Sequence, residues 1–306
     1  MKQNFFYESH GFGKIHGILW QPEGEVSAVV QIVHGIAEHM ERYDHFARFL
    51  NSHGIAVVGE DHMGHGQSIG SKGIQGYFHG GWQTAVEDTY QLLRDTQKRF
   101  PNIPYILLGH SMGSFMARTI LAKHPDSGLT GCILSGTAWQ PDGMIKAAPL
   151  AGKLMCKFVG EKKCSKKLYD MIFGGYNSKV EYARTGSDWL SRDPKVADAY
   201  EADPLCGFIP TAGLFRDMMD GFVYIQKPEH LQNMDKNLPV FFVAGGDDPV
   251  GAYGTGVREA AARFEQAGME RVSLKIYPLC RHEILNEINK EEVYGDLLQW
   301  IQRVML

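Results

Sequence analysis

The chain has 306 residues, 44% hydrophobic and 22% charged, with a net charge of −4, the composition of an ordinary globular protein long enough to bury one large core. The slight acidity offers nothing to a polyanion, so nucleic acid is not an expected partner. No apolar stretch approaches the roughly 18 residues needed to cross a membrane, and Met1 to Glu8 lack a signal-peptide core, which makes the cytoplasm the expected location.

Taken in chain order, Ala28 to Val33 is a β-rich run ending at His34-Gly35. Tyr43 to His53 carries Phe46, Phe49 and Leu50 at helical spacing before the stop at Gly54. Ile55 to Val58 reads as the next strand, and Trp82 to Phe100 as a helix with Trp82, Val86, Thr89, Leu93 and Thr96 on one side. The strand Tyr105 to Leu108, the helix Ser111 to Lys123 and the strand Gly131 to Leu134 follow. Val240 to Val243 and Val272 to Tyr277 are the last strands, with helices at Val257 to Ala267 and Glu291 to Val304. Apolar strands alternating with amphipathic helices predict an α/β fold, a mostly parallel central sheet with helices on both faces. Ligands then bind at the carboxyl ends of the strands. Between Thr137 and Gln232 the alternation fails and short helical patterns are broken by prolines. The expected organisation is therefore a core of residues 1–136 and 233–306 with an inserted helical cap, 137–232.

The chemistry is carried where strands end. Tyr105 to Leu108 runs into Gly109-His110-Ser111-Met112-Gly113 and then into a helix, the pattern that lifts a serine hydroxyl above a sheet on a sharp turn flanked by small residues. A nucleophilic serine needs a base, and the base an acid, in the order Ser, Asp or Glu, His for this turn type. Gly245-Gly246-Asp247-Asp248-Pro249-Val250 follows one later strand and Arg281-His282-Glu283 the last. The required residue types thus stand at strand ends in the required order.

With these motifs the sequence resembles the α/β-hydrolases, within them the monoacylglycerol lipase and lysophospholipase group, also described as serine aminopeptidase S33-like hydrolases. The resemblance covers nearly the whole chain and includes His34-Gly35-Ile36-Ala37-Glu38-His39 with Arg42-Tyr43, and Asp61-His62-Met63-Gly64-His65-Gly66-Gln67-Ser68. It implies Ser111 as nucleophile, His282 as general base and then acid, and an aspartate of the Asp247-Asp248 pair as orienter. The similar glycine-turn motifs favour Asp248. It also implies an oxyanion hole made by the backbone N–H groups of Ile36 and Met112, each donor worth about 3 kcal/mol in the transition state. The expected substrates are small-molecule esters, monoacylglycerols, lysophospholipids or similar single-chain compounds, with no metal or organic cofactor. An amide or peptide hydrolase with the same triad is the alternative, which would need carboxylates of the cap to anchor an amine. A ligand-binding protein on a hydrolase scaffold is a further one.

Other features receive plainer readings. His34, His62, His65 and His110 stand beside glycines and are expected to brace loops rather than bind a metal. The cysteines, Cys132, Cys156, Cys164, Cys206 and Cys280, are odd in number and lack a CxxC pair, against both a disulfide framework and a zinc knot. Lys157, Lys162, Lys163, Lys166 and Lys167 lie beside Leu150, Leu154 and Phe158 at four-residue spacing, a solvated face that also suits transient contact with lipid surfaces. Leu214, Met218, Phe222 and the adjacent Phe215, Met219, Val223 form a broad apolar helix face, either core or the wall of an acyl pocket.

Overall fold

The computed structural model describes residues 1–306. Its centre is an eight-stranded sheet in the order β1-β2-β4-β3-β5-β6-β7-β8. The strands are β1 (Lys2–Glu8), β2 (Lys14–Trp20), β3 (Ala28–Val33), β4 (Ile55–Glu60), β5 (Tyr105–His110), β6 (Gly131–Ser135), β7 (Val240–Gly245) and β8 (Val272–Tyr277). Every neighbouring pair from β4 to β8 is parallel, and β1 and β2 add an antiparallel edge. Residues of β3 to β7 are buried throughout, which is why those strands read as unbroken apolar runs instead of alternating ones.

Both faces are covered by helices whose apolar stripes the sequence announces. On one face lie α2 (Gly81–Arg99), α3 (Met112–Lys123) and α9 (Thr255–Gln266), which bring Trp82, Val86, Phe115, Ile120, Val257 and Phe264 into a common core. On the other, α1 (Asp44–Asn51) and α10 (Lys290–Val304) bury Phe46, Leu50, Val293, Leu297 and Ile301. Helix and strand bounds fall within two residues of the expected ones. The pair β1–β2 was not expected: β1 is an edge strand that alternates partly buried Phe5 and Tyr7 with exposed Asn4, Phe6 and Glu8, and β2 is buried from Ile15 to Trp20. No helix is long and apolar enough to cross a membrane.

Between β6 and β7 the chain builds five helices, α4 (Asp142–Val159), α5 (Lys166–Phe173), α6 (Pro194–Ala202), α7 (Ala212–Ile225) and α8 (Pro228–Asn233). Start signals are explicit: Ser165, Asp193 and Thr211 each accept a backbone N–H of the helix that follows, and Pro194 and Pro228 occupy first positions where their missing N–H costs nothing. The apolar face of α7 divides. Leu214 joins the core beneath and Phe222 packs on Phe115 with ring centroids 4.5 Å apart, while Phe215 packs with Leu168 of α5.

Candidate active site

Ser111 stands between β5 and α3 at φ 53°, ψ −122°, a conformation that costs a non-glycine residue about 1–3 kcal/mol and survives only where its surroundings enforce it. Here they do. Its N–H donates to the Ser135 carbonyl at 2.9 Å, and its own carbonyl accepts from the N–H and hydroxyl of Ser114 at 2.9 and 2.6 Å. The flanking glycines are required by space. A Cβ on Gly109 would overlap the Gly113 carbonyl and Ser114, and one on Gly113 would overlap the carbonyl oxygens of Val33 and His34.

Asp248 and His282, beyond the ends of β7 and β8, meet there: His282 Nδ1 lies 2.9 Å from Asp248 Oδ2, both residues being buried. A carboxylate only accepts, so Nδ1 carries the proton and Nε2 of the neutral ring keeps its lone pair. The second carboxylate oxygen accepts from the Val250 N–H at 2.9 Å. Asp247, by contrast, is exposed. The imidazole is held between His110 and Trp189, with ring centroids at 4.7 and 5.1 Å. Burial depresses the basicity of His282, but the charge and hydrogen bond of Asp248, aided by Glu283 and Glu38, outweigh it and leave the pKa above its ordinary 6.5. His110 goes the other way, down to about 4, through burial and the neighbouring His282.

Ser111 and His282 line one cavity with Ile36, Tyr169, Phe173, Leu190 and Tyr200. No hydrogen bond joins the two side chains. The cavity is only about 30 Å³, room for one or two waters, and its roof comes from the segment between β6 and β7. That segment is tied directly to the histidine loop: the N–H of Glu283 donates to Leu190 at 2.7 Å, and Arg281 donates to the Asp188 and Ser191 carbonyls at 2.6 and 2.9 Å. The Met218 and Phe222 rows are absent from the cavity wall, which is instead lined by aromatic residues of α5, α6 and the short turn at Asp188–Leu190.

The loop after β3 has its own brace. Glu38 accepts from the Gly35 N–H at 2.6 Å and the Tyr43 hydroxyl at 2.8 Å, and takes Arg42 at 2.7 Å. Arg42 then grips both oxygens of Glu283 at 2.6 and 2.7 Å, a bidentate pairing that fixes geometry as well as charge. Burial works against this guanidinium, yet the two carboxylates hold its pKa well above the usual range. Within the loop the Ile36 N–H has no partner. Met112 opens α3, so its N–H has no acceptor inside the helix either. The Glu38-Arg42-Glu283 triad escaped the sequence reading as a unit: only the four-residue step from Glu38 to Arg42 was visible, and Glu283 lies 241 residues from Arg42.

The histidines of the neighbouring loops are held by backbone groups, though the Nε2 of His65 is buried without a partner. His34 Nε2 accepts from the His62 N–H at 3.0 Å while its Nδ1 faces the Gly35 carbonyl at 2.7 Å. His62 Nε2 meets the His34 carbonyl at 3.0 Å, and His65 Nδ1 the Met63 carbonyl at 3.1 Å. Cys280 is buried against Arg192 and Asn289, and burial pushes its thiol up, away from the thiolate.

Comparison with known proteins agrees with this architecture. A family model described as serine aminopeptidase, S33, matches residues 24–289. The monoacylglycerol lipase of Mycolicibacterium smegmatis is 29% identical over 303 residues, covering 95% of this chain and 96% of that one. Among solved structures, a highly thermostable carboxyl esterase from Bacillus coagulans, in complex with glycerol, is 30% identical with a TM-score of 0.92 over 100% of this chain and 99% of its own. A structure described as a lipase in open form is 27% identical with a TM-score of 0.89 over 100% and 99% of the two chains.

Proposed function

The chain belongs to the serine aminopeptidase S33 family of α/β-hydrolases, and from that premise we propose that it hydrolyses single-chain carboxylic esters through an acyl-enzyme on Ser111. Its lipase and esterase relatives place it among the carboxylic ester hydrolases. In the proposed cycle His282 Nε2 takes the Ser111 proton as Oγ attacks the ester carbonyl, and the Ile36 and Met112 N–H groups receive the tetrahedral oxyanion. The C–O bond to the alcohol breaks, the alcohol leaves with the proton from His282, and water then repeats the steps on the acyl group. Asp248 holds the imidazole tautomer throughout and does not itself take the proton.

The observation that carries this reading is the buried Asp248-His282 pair beside a strained serine whose flanking glycines admit no side chain. By its relatives, monoacylglycerols are the proposed substrate class, and lysophospholipids and similar esters fit the same chemistry. The aminopeptidase alternative finds less support. The only carboxylates lining the cavity are Glu38 and Glu283, and both are committed to Arg42.

We further assign residues 137–232 as a cap that must open, since a cavity of about 30 Å³ holds no acyl chain. Its outer surface exposes Leu150, Leu154 and Phe158 on α4 beside the exposed lysines, a face suited to transient contact with anionic lipid. The test is direct. Ser111→Ala should reduce p-nitrophenyl ester hydrolysis by about 10⁵-fold or more and abolish fluorophosphonate labelling, and retention of either rejects the mechanism. Rates on acyl esters from acetyl to palmitoyl, set beside an aminoacyl naphthylamide, decide the substrate class.

A further inference from the structure

One cluster of metal-ligating side chains lies outside the triad. His39, at the end of the loop after β3, meets Asp203 and Cys206, from the connection between α6 and α7. The imidazole Nε2, a carboxylate oxygen and the thiol sulfur all lie within 4.8 Å of one another. We propose that these three residues form a binding site for zinc or a similar borderline-soft divalent cation, and that its occupancy clamps the cap onto the oxyanion loop.

The donor set is the first support. Imidazole nitrogen, thiolate sulfur and carboxylate oxygen are the ligands zinc prefers, at about 2.0–2.3 Å, so the three atoms need contract by only about 1 Å. The positions are already organised. Asp203 and Cys206 share one tight turn, the Cys206 N–H donating to the Asp203 carbonyl at 2.9 Å, and His39 Nε2 sits 2.9 Å from Asp203 Oδ2. His39 and Cys206 are buried, while Asp203 is partly exposed and gives an ion its entry. Position is the second support. Asp203 and Cys206 lie on the connection between α6 and α7 and His39 on the loop after β3, so one ion would join the two segments.

On binding, the Cys206 thiol gives its proton to solvent and becomes thiolate. His39, whose Nε2 faces the Asp203 carboxylate at 2.9 Å, releases the Nε2 proton to solvent and takes one on Nδ1, so that Nε2 presents its lone pair to the metal. Three protein ligands leave a fourth position for water. The consequence follows from what the two segments carry. The Gly207 N–H already donates to the Ala37 carbonyl at 3.0 Å, and Ala37, Tyr200 and Pro210 line the catalytic cavity. A metal here would replace one hydrogen bond with three coordinate bonds and hold the closed cap shut. The clamp effect rests on the proposed esterase reading, whereas the binding site does not.

The experiment therefore has two arms on the full chain. Cobalt titration should give a thiolate-to-cobalt charge-transfer band that saturates at one equivalent and is displaced by zinc. The band should vanish in Cys206→Ser, which leaves the other four cysteines in place, and affinity should fall about tenfold or more in Asp203→Asn. A band that persists in Cys206→Ser, or never forms in the wild type, overturns the site. In the second arm zinc should slow hydrolysis of a soluble short-chain ester by the wild type, reversibly with a chelator, and require about tenfold more metal in Cys206→Ser. Equal inhibition of both proteins overturns the clamp. Absence of esterase activity altogether would count against the proposed function and leave the cobalt result standing on its own.

Discussion

Ser111 has its φ, ψ strain enforced by neighbours, so its glycines are the most sensitive residues of the turn. Gly113→Ala forces a methyl into the Val33 carbonyl and should cost about 4 kcal/mol or more of stability, read as a lowered denaturant midpoint. The acid offers a cleaner contrast. Asp248→Asn keeps the shape but lets Nδ1 lose its acceptor, and should lower kcat by about 10⁴-fold, whereas Asp247→Asn, on an exposed side chain, should leave kcat within about twofold. The pH profile follows from the raised pKa of His282. The base must be neutral, so kcat/KM should fall as pH drops through a value above 6.5, and Asp248→Asn should move that limb to lower pH. For stability the sign is opposite: the protonated, Asp248-paired ring favours the fold fully below 6.5, and that contribution is lost as pH rises through the raised value. At this scale the positions of Ser111 and His282 beside one cavity were legible because strand ends and chain order constrain them. The choice between Asp247 and Asp248 by geometry alone was not, because adjacent residues differ only in the direction the folded loop turns them.

The loop after β3 and the loop after β8 behave as one element, joined by Glu38, Arg42 and Glu283. Arg42→Ala would strand two buried carboxylates and should destabilise by about 3–5 kcal/mol, measured by urea unfolding. The histidine-bearing loops set acid stability instead. His34 lies well below 6.5, His65 near 3 and His110 near 4, in each case chiefly through burial. The unfolded chain binds protons at these sites from about 6.5 downward while the folded chain does not, so their stabilisation is complete above 6.5 and drains away as pH falls. The Tm should accordingly drop between pH 6.5 and 4, and less steeply in His110→Asn. Helix and strand positions in the sheet were readable from periodicity, since each buries a continuous run or one stripe. The edge pair β1–β2 was not, because exposed Phe6 between Phe5 and Tyr7 hides the alternation of β1, and His16 and Gly17 interrupt the buried apolar run of β2.

In the molecule as a whole, the segment carrying α4 to α8 supplies much of the wall of the cavity at the strand ends. If the exposed apolar row of α4 meets lipid, replacing Leu150, Leu154 and Phe158 together with serine should weaken sedimentation with anionic vesicles about tenfold or more. The same variant should hydrolyse a soluble short-chain ester at the wild-type rate; unchanged vesicle binding would reject that role for the face. Sequence alone determined the α/β class, the order of the sheet's parallel strands along the chain, and the residue types at three strand ends, because these are written in local periodicity and in motifs that tolerate few alternatives. Only the tertiary structure decided which aromatic side chains roof the cavity, that Arg42 bridges two distant loops, and that Cys206 comes to rest beside His39 and Asp203. Those depend on where segments far apart in the chain are packed, and no pattern within any one of them records its partner.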